Sequence, residues 1–328
     1  MTRRRPISVT GTFALFRVAA GPRIGHGHLR RAEALACALG RSARVSIRGA
    51  GGAGTRLSIV APAAAGETLD AVRPAVLIVD DPHAGHGGAW VSAATRRRVP
   101  VVSLHDLGIA RVPSSLAIDG SVVSPSRGWP AACTLRGLRY AVIGRPRQAT
   151  RRGAVRRVLV SLGGGPREAL SRAVADEVMR RLPDVEVLVT QLQVLPTAAG
   201  TPARVRRVSA PDGLAPWLAR VDVAIVGGGV SLYEAVAAGV PTVAVAVVPA
   251  QLPTIRGFAR HHLTVSAGLA TGGAHVVARR VAARVERIAR SSSLREVVRD
   301  DGPRLVDGLG ARRVAQAIVA VSKEAPRG

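Results

Sequence analysis

The segment Gly25-His26-Gly27-His28 sets a histidine at the mouth of a glycine-rich turn, with Arg30 and Arg31 just beyond it. Glycines at 25 and 27 let a ligand come close to the backbone. The apolar period of Leu29–Leu39 is helical and Gly40 stops it, so His28 and the arginines fall in the first turn of a helix. The free N–H groups of such a start favour an anion. A neutral imidazole there can serve as a general base near pH 7. The plain alternative is a histidine that only caps or packs. The glycines do not complete a Gly-x-Gly-x-x-Gly pattern, so the loop does not by itself assign a dinucleotide.

Two further glycine loops follow strand-like runs. One is Ser161-Leu162-Gly163-Gly164-Gly165 and the other is Gly227-Gly228-Gly229-Val230-Ser231. Each alone is an ordinary strand-to-helix turn. Together, with Glu234 one turn into the third helix, they suggest a grip on a nucleoside diphosphate. The glycine loops would hold the phosphates, and the carboxylate would accept two hydrogen bonds from a ribose diol. Without a ligand, Glu234 is a favourable charge near a helix N-terminus.

The elements that must position these residues alternate along the chain. Strand-like runs at Phe13–Val18, Ala43–Ile47, Val76–Val79, Val99–Ser103, Leu116–Ile118 and Ala141–Ile143 make up a first half. Gly144–Arg157, with a proline, two glycines and a dense arginine run, reads as a linker. The alternation restarts with Val158–Ser161, a helix over Glu168–Arg181, and strands at Val185–Val189, Val205–Val208, Val223–Val226 and Thr242–Val247. Ser231–Ala238 reads as a helix, and the chain from Ala274 onward is mostly helical. The expected fold class is α/β, with two Rossmann-like domains at 1–148 and 149–328 and a cleft between them. Ligands of such sheets bind at the carboxyl ends of the strands.

Composition narrows the partners. The 328 residues carry 47 Lys and Arg against 21 Asp and Glu, a net charge of +26, yet only 2% are aromatic. Lys323 is the one lysine, and a GC-rich genome explains the arginine excess as well as a polyanionic partner does. With so few aromatics there is no stacking platform for nucleic acid, and a small phosphorylated substrate fits better. The apolar stretch Ala235–Ala250 is broken by Gly239, Pro241 and Pro249, which argues against a membrane span. No signal peptide is read at the N-terminus. Two cysteines make no disulfide framework, and Cys37 is expected to be buried, so the reading is cytoplasmic. Asp80, Asp81, His83, His86, His105 and Asp106 are metal-ligand types, but their spacing matches no metal signature. Neither a metal nor a cofactor is invoked, and oligomeric state is not readable.

Phe16-Arg17, then Ile24-Gly25-His26-Gly27-His28-Leu29-Arg30-Arg31, resembles the opening of the nucleotide-sugar hydrolases of pseudaminic acid biosynthesis. Those enzymes act on UDP-2,4-diacetamido-2,4,6-trideoxy-β-L-altropyranose, and related proteins belong to spore coat polysaccharide biosynthesis. Further matches in family order are Val79-Asp80-Asp81, His105-Asp106, Ser161–Gly165, Gly227–Glu234, Gly239-Val240-Pro241 and Gln251. The resemblance implies the two-domain glycosyltransferase type B fold, with UDP in the second half and the sugar in the first. It implies that His28 is catalytic, that Arg31 belongs to the same motif, and that the glycine loops, Ser231, Glu234 and Gln251 form the nucleotide site. Asp81 and Asp106 would orient the sugar or His28, and Arg17 or Arg31 would help hold the departing diphosphate. The implied reaction is attack of water on the anomeric carbon with inversion. Ala250 stands where the family has Asn, Ala19-Ala20-Gly21 where it has an Asp-Ala-Ser-like loop, and Ala32 where it often has Cys. These departures leave the sugar open. The alternatives are a glycosyltransferase using the same donor site with an alcohol acceptor, and a non-catalytic nucleotide-sugar binding protein.

Overall fold

The computed structural model describes residues 13–21, 24–49, 55–107, 109–123, 128–150, 153–163, 167–191, 204–210 and 213–324. The first half is a seven-stranded parallel sheet of β1 (Ala14–Ala19), β2 (Ala43–Arg48), β3 (Ser58–Ile59), β4 (Val76–Asp80), β5 (Val101–His105), β6 (Ser114–Asp119) and β7 (Ala131–Arg136). Its order is β3-β2-β1-β4-β5-β6-β7. Helices α1 (Gly27–Leu39), α2 (Ala65–Val72) and α3 (Ala84–Arg96) connect the early strands. β4 and β5 are buried at every position because helices cover both faces. Truncating a fully buried side chain such as Ile78 should therefore cost about 2–5 kcal/mol.

The second half repeats the plan with six parallel strands, β8 (Arg157–Ser161), β9 (Glu186–Gln191), β10 (Val205–Ser209), β11 (Val223–Gly227), β12 (Thr242–Ala246) and β13 (Val265–Leu269). Their order is β10-β9-β8-β11-β12-β13. The helices are α4 (Glu168–Arg181), α5 (Ala215–Leu218), α6 (Val230–Ala237), α7 (Leu252–Arg260), α8 (Ala274–Arg290), α9 (Ser292–Leu305) and α10 (Gly310–Glu324). In both sheets the strand order reverses beside the first strand, between β1 and β4 and between β8 and β11. The expected pair of Rossmann-like domains is borne out.

Beside strands β3, β7 and β13 and helices α2, α3, α5 and α7, which the sequence reading does not contain, three details differ from it. Ala141–Ile143 is buried but is not a strand. It is part of the crossing between the halves, held so closely that a Cβ on Gly310 would lie 2.1 Å from the Ala141 carbonyl oxygen. Its apolar residues serve burial rather than pairing. Cys37 is exposed. The inward stripe of α1 is Leu29, Ala32, Leu35 and Leu39, and position 37 lies on the opposite side of the helix. Finally, α10 leaves the second half. Ala311, Val314, Ala315 and Ile318 pack into the first-half core with Phe16, Leu29 and Leu35. The chain therefore crosses between halves twice, and at the crossings a Cβ on Gly308 would lie 2.4 Å from Pro146. Among the described residues no helix is long and apolar enough to cross a membrane.

Candidate active site

The crevice at the β1/β4 reversal is where a doubly wound sheet offers its ligand site. The turn that leaves β1 is pinned by reciprocal backbone hydrogen bonds, Gly21 N to Gly25 O at 3.2 Å and Gly25 N to Gly21 O at 2.7 Å. Gly25 has φ +90°, which a side chain would strain. This turn starts α1 at Gly27 and places His28 over the end of β4. His28 Nδ1 lies 2.8 Å from Asp80 Oδ1. One turn further, Arg31 donates from Nε to Asp80 Oδ2 at 2.8 Å and from Nη2 to Oδ1 at 2.6 Å, and its Nη1 pairs with Asp106.

Arg31 Nη2 also lies 2.8 Å from His28 Nδ1. With Nδ1 protonated, both groups donate to the same carboxylate oxygen, and Nε2 keeps its lone pair. Burial alone would push the Asp80 carboxyl up. The charges of Arg31 and His28 and the hydrogen bonds from both outweigh it and hold the carboxyl at about 2. Burial likewise works against the Arg31 cation, but Asp106 and Asp80 overcome it and its pKa rises. The His28 side chain is 14% exposed and Asp80 only 3%. The arrangement is an imidazole whose inner nitrogen is fixed by a buried, ionised carboxylate. Asp106 is the open end of the chain, its side chain 56% exposed.

Asp81 and Arg17 are not drawn into that cluster. Asp81, the residue after Asp80, accepts from Arg48 Nε and Nη2 at 2.8 Å each and from the His83 backbone N at 3.0 Å. Arg17 donates to Ser46 Oγ at 3.1 Å and lies over the Trp90 ring. Among the described residues no group of three or more His, Cys, Asp or Glu could hold a metal ion.

In the second half, the β11–α6 loop carries Gly227, Gly228 and Gly229 onto the start of α6. The Gln251 side-chain oxygen accepts from Gly228 N at 3.2 Å and Val247 N at 2.9 Å, so Gln251 braces this loop. Gly228 must be glycine, since a Cβ would lie 2.8 Å from both Gln251 Cβ and Ile255 Cγ1. The next N–H groups, of Val230 and Ser231, open α6 and have no partner within it. Gly163 follows β8 with φ +92°, and Arg167 crosses it closely enough that a Cβ there would lie 2.9 Å from Arg167 Nη1. Gly164 and Gly165 lie outside the described residues. Glu234 is half-buried on α6. Burial pushes its carboxyl up to about 7, against the opposing pull of Arg30.

The two sites adjoin. A Cβ on Gly27, the first residue of α1, would lie 3.3 Å from Val230 Cγ2, the first residue of α6. Arg30 of α1 acts electrostatically on Glu234 of α6. Tyr233 OH accepts from the Val122 backbone N at 3.2 Å, a strut from α6 to the loop after β6. Sequence reasoning missed the Asp80 partnership and Arg167. The signal for Asp80 is a carboxylate closing an otherwise wholly apolar strand. Arg167 follows its glycine loop directly.

No protein-family model matches the chain. The spore coat polysaccharide biosynthesis protein SpsG of Bacillus subtilis (strain 168) is 32% identical over 172 residues, 48% of this chain and 48% of that protein. The match thus spans about half the length of that curated relative. Among solved structures, the calicheamicin glycosyltransferase CalG4 superimposes with a TM-score of 0.65 at 17% identity, over 97% of this chain and 100% of that one. The spinosyn rhamnosyltransferase SpnG, complexed with thymidine diphosphate, gives 0.64 at 17% identity over 95% and 100%. MurG of Acinetobacter baumannii gives 0.62 at 14% identity over 94% and 99%. The fold of this chain is therefore the two-domain glycosyltransferase type B architecture.

Proposed function

We propose that the protein cleaves a nucleotide-sugar at the anomeric carbon and transfers the sugar to an alcohol acceptor, in polysaccharide biosynthesis. The observation that carries this reading is the 2.8 Å contact between His28 Nδ1 and the buried Asp80 carboxylate. It leaves His28 Nε2 free to take a proton from a hydroxyl nucleophile, while Asp80 stabilises the imidazolium that forms. The hydroxyl oxygen bonds to the anomeric carbon as the bond from that carbon to the diphosphate breaks. The electron pair leaves on the diphosphate oxygen, and in-line attack inverts the centre.

The leaving diphosphate is assigned to the α6 start, where the Val230 and Ser231 N–H groups and the helix dipole favour negative charge. Arg167 is the added cation and Glu234 the ribose acceptor. UDP and dTDP are the nucleotides to test first. Arg31 is a positioning residue in this scheme, because its guanidinium is already engaged by Asp80 and Asp106. The likeness to glycosyltransferases in fold and to the spore coat protein over half the chain supports the transfer reading.

Hydrolysis is the second reading, favoured by the Ile24–Arg31 motif and its resemblance to nucleotide-sugar hydrolases. The same imidazole would then activate water. The test is nucleotide release from a panel of UDP-, dTDP- and CMP-sugars, with and without hydroxyl acceptors. Acceptor-dependent release supports transfer, and release with a free reducing sugar supports hydrolysis. No release from any donor would overturn both.

A further inference from the structure

On the side of the β1/β4 reversal away from His28 lies a second polar cluster that the proposed chemistry leaves idle. Arg17, inside β1, is half-buried. Its guanidinium lies 5.1 Å from the centre of the Trp90 ring and donates to Ser46 Oγ at 3.1 Å. Its Nε is buried with no hydrogen-bond partner. Among the described residues no carboxylate lies within ion-pair distance of it. The carboxylate acting on it through space is Asp81, and that group is already saturated by Arg48 and the His83 N–H. Arg17, Arg48 and Asp81 together keep one positive charge in a half-buried site.

A half-buried cation whose Nε has no partner and which no carboxylate pairs gives up part of its hydration without return. The aromatic face and the serine hydroxyl fix the guanidinium plane, as a site built for a planar, charged partner requires. The cluster sits at the carboxyl end of the sheet, and Asp81 is bonded directly to Asp80, the anchor of His28. The diphosphate has its own cradle in the second half, so a further cation in the first half has a different anion to meet.

We propose that Arg17 recognises a carboxylate or phosphate carried by the molecule bound in the first half, so that the sugar or the acceptor is itself anionic. This deepens the transfer reading and rests on it. Two arms separate the sources. One compares UDP-glucose with UDP-glucuronic acid as donor. The other compares neutral acceptor sugars with their carboxylate- or phosphate-bearing counterparts.

Wild type should prefer the anionic member of one pair in kcat/KM. In Arg17→Met, which keeps the stem over Trp90, that preference should fall by about 10- to 100-fold, the size of one charged hydrogen-bonding contact. Arg17→Lys should keep part of it, and UDP affinity should not move. An equal handling of both members in each pair by wild type overturns the proposal even if Arg17→Met does not fold. So does an unchanged preference in a folded Arg17→Met. If no donor releases nucleotide, the transfer reading fails separately. Calorimetric titration of glucuronate and glucose 6-phosphate into wild type and Arg17→Met then still reads the site, and equal heats would overturn it.

Discussion

His28 Nδ1 and Asp80 Oδ1 lie 2.8 Å apart although 52 residues separate them in the chain. The contact joins the first turn of a helix to the last residue of the neighbouring strand, and it points the remaining imidazole nitrogen outward. If that nitrogen is the base, His28→Asn should lower turnover by about 10²–10⁴-fold, the usual worth of general-base catalysis. Nucleotide affinity should hold within about twofold, since the proposed diphosphate cradle belongs to the other half. Nucleotide release and calorimetry with UDP or dTDP measure the two effects. Undiminished turnover would remove His28 from the reaction.

Asp80 also makes an acid-stability prediction. Its carboxyl sits at about 2 in the fold, against roughly 3.9 in an unfolded chain. A depressed carboxyl adds stability that is present above the unfolded value and is lost as pH falls through the folded one. The contribution should be about 2 kcal/mol at pH 7 and should fade between about pH 4 and pH 2. Asp80→Asn leaves the buried Arg31 half-paired, so it should cost about 3–5 kcal/mol at neutral pH. It should also flatten the acid limb. Urea unfolding of both proteins from pH 7 to pH 3 checks this, and equal acid slopes would contradict it.

What could be read from the sequence follows the range of each interaction. The strand and helix runs are local patterns, and so are the glycine loops and the start of α1 beside His28. Most of these were legible from residue type and spacing, while β3, β7 and β13 and helices α2, α3, α5 and α7 were not read. The Asp80 partnership was not, because periodicity does not say which strand end a helix start will face. The return of α10 was equally hidden, since an amphipathic helix shows that it has an apolar face but not which sheet receives it. Ala141–Ile143 misled for a related reason. A short apolar run reads the same whether it pairs as a strand or crosses buried between two domains. Gln251 was expected in the nucleotide site, and its engagement with the backbone N–H groups of Gly228 and Val247 in the β11–α6 loop needed coordinates.

Glu234 should trade stability for binding. Its carboxyl is raised to about 7 by burial, with Arg30 pulling the other way. A raised carboxyl leaves the fold at full stability below the unfolded value, and that advantage is lost as pH rises through the folded one. Glu234→Gln should therefore stabilise the protein at pH 8 by about 1–2 kcal/mol, allowing for solvent screening, and by nearly nothing at pH 4. The same change removes a charged acceptor from the proposed ribose site and should weaken UDP by about 10-fold. Thermal melts at the two pH values, together with calorimetry, separate the effects. A variant less stable at pH 8 would mean that Glu234 has a buried partner of opposite charge.

Gly228 joins loop shape to ligand affinity. A Cβ there would press on Gln251 Cβ and Ile255 Cγ1 at 2.8 Å and on the Gln251 carbonyl oxygen at 2.9 Å. Backbone on one side and a core isoleucine on the other leave little room to yield, so Gly228→Ala should cost about 1–3 kcal/mol. The strain is relieved most easily by lifting the loop from Gln251, which breaks the Gly228 N–H bond to its side chain and shifts the Val230 and Ser231 N–H groups. Nucleotide affinity should therefore fall along with the melting temperature. Gly27→Ala is the control. Its Cβ would meet only Val230 Cγ2, at 3.3 Å, a contact a side chain can ease. It should destabilise by under about 1 kcal/mol and leave the second-half loop in place. If Gly228→Ala lowers the melting temperature but binds UDP and dTDP as tightly as wild type, this loop is not the diphosphate cradle.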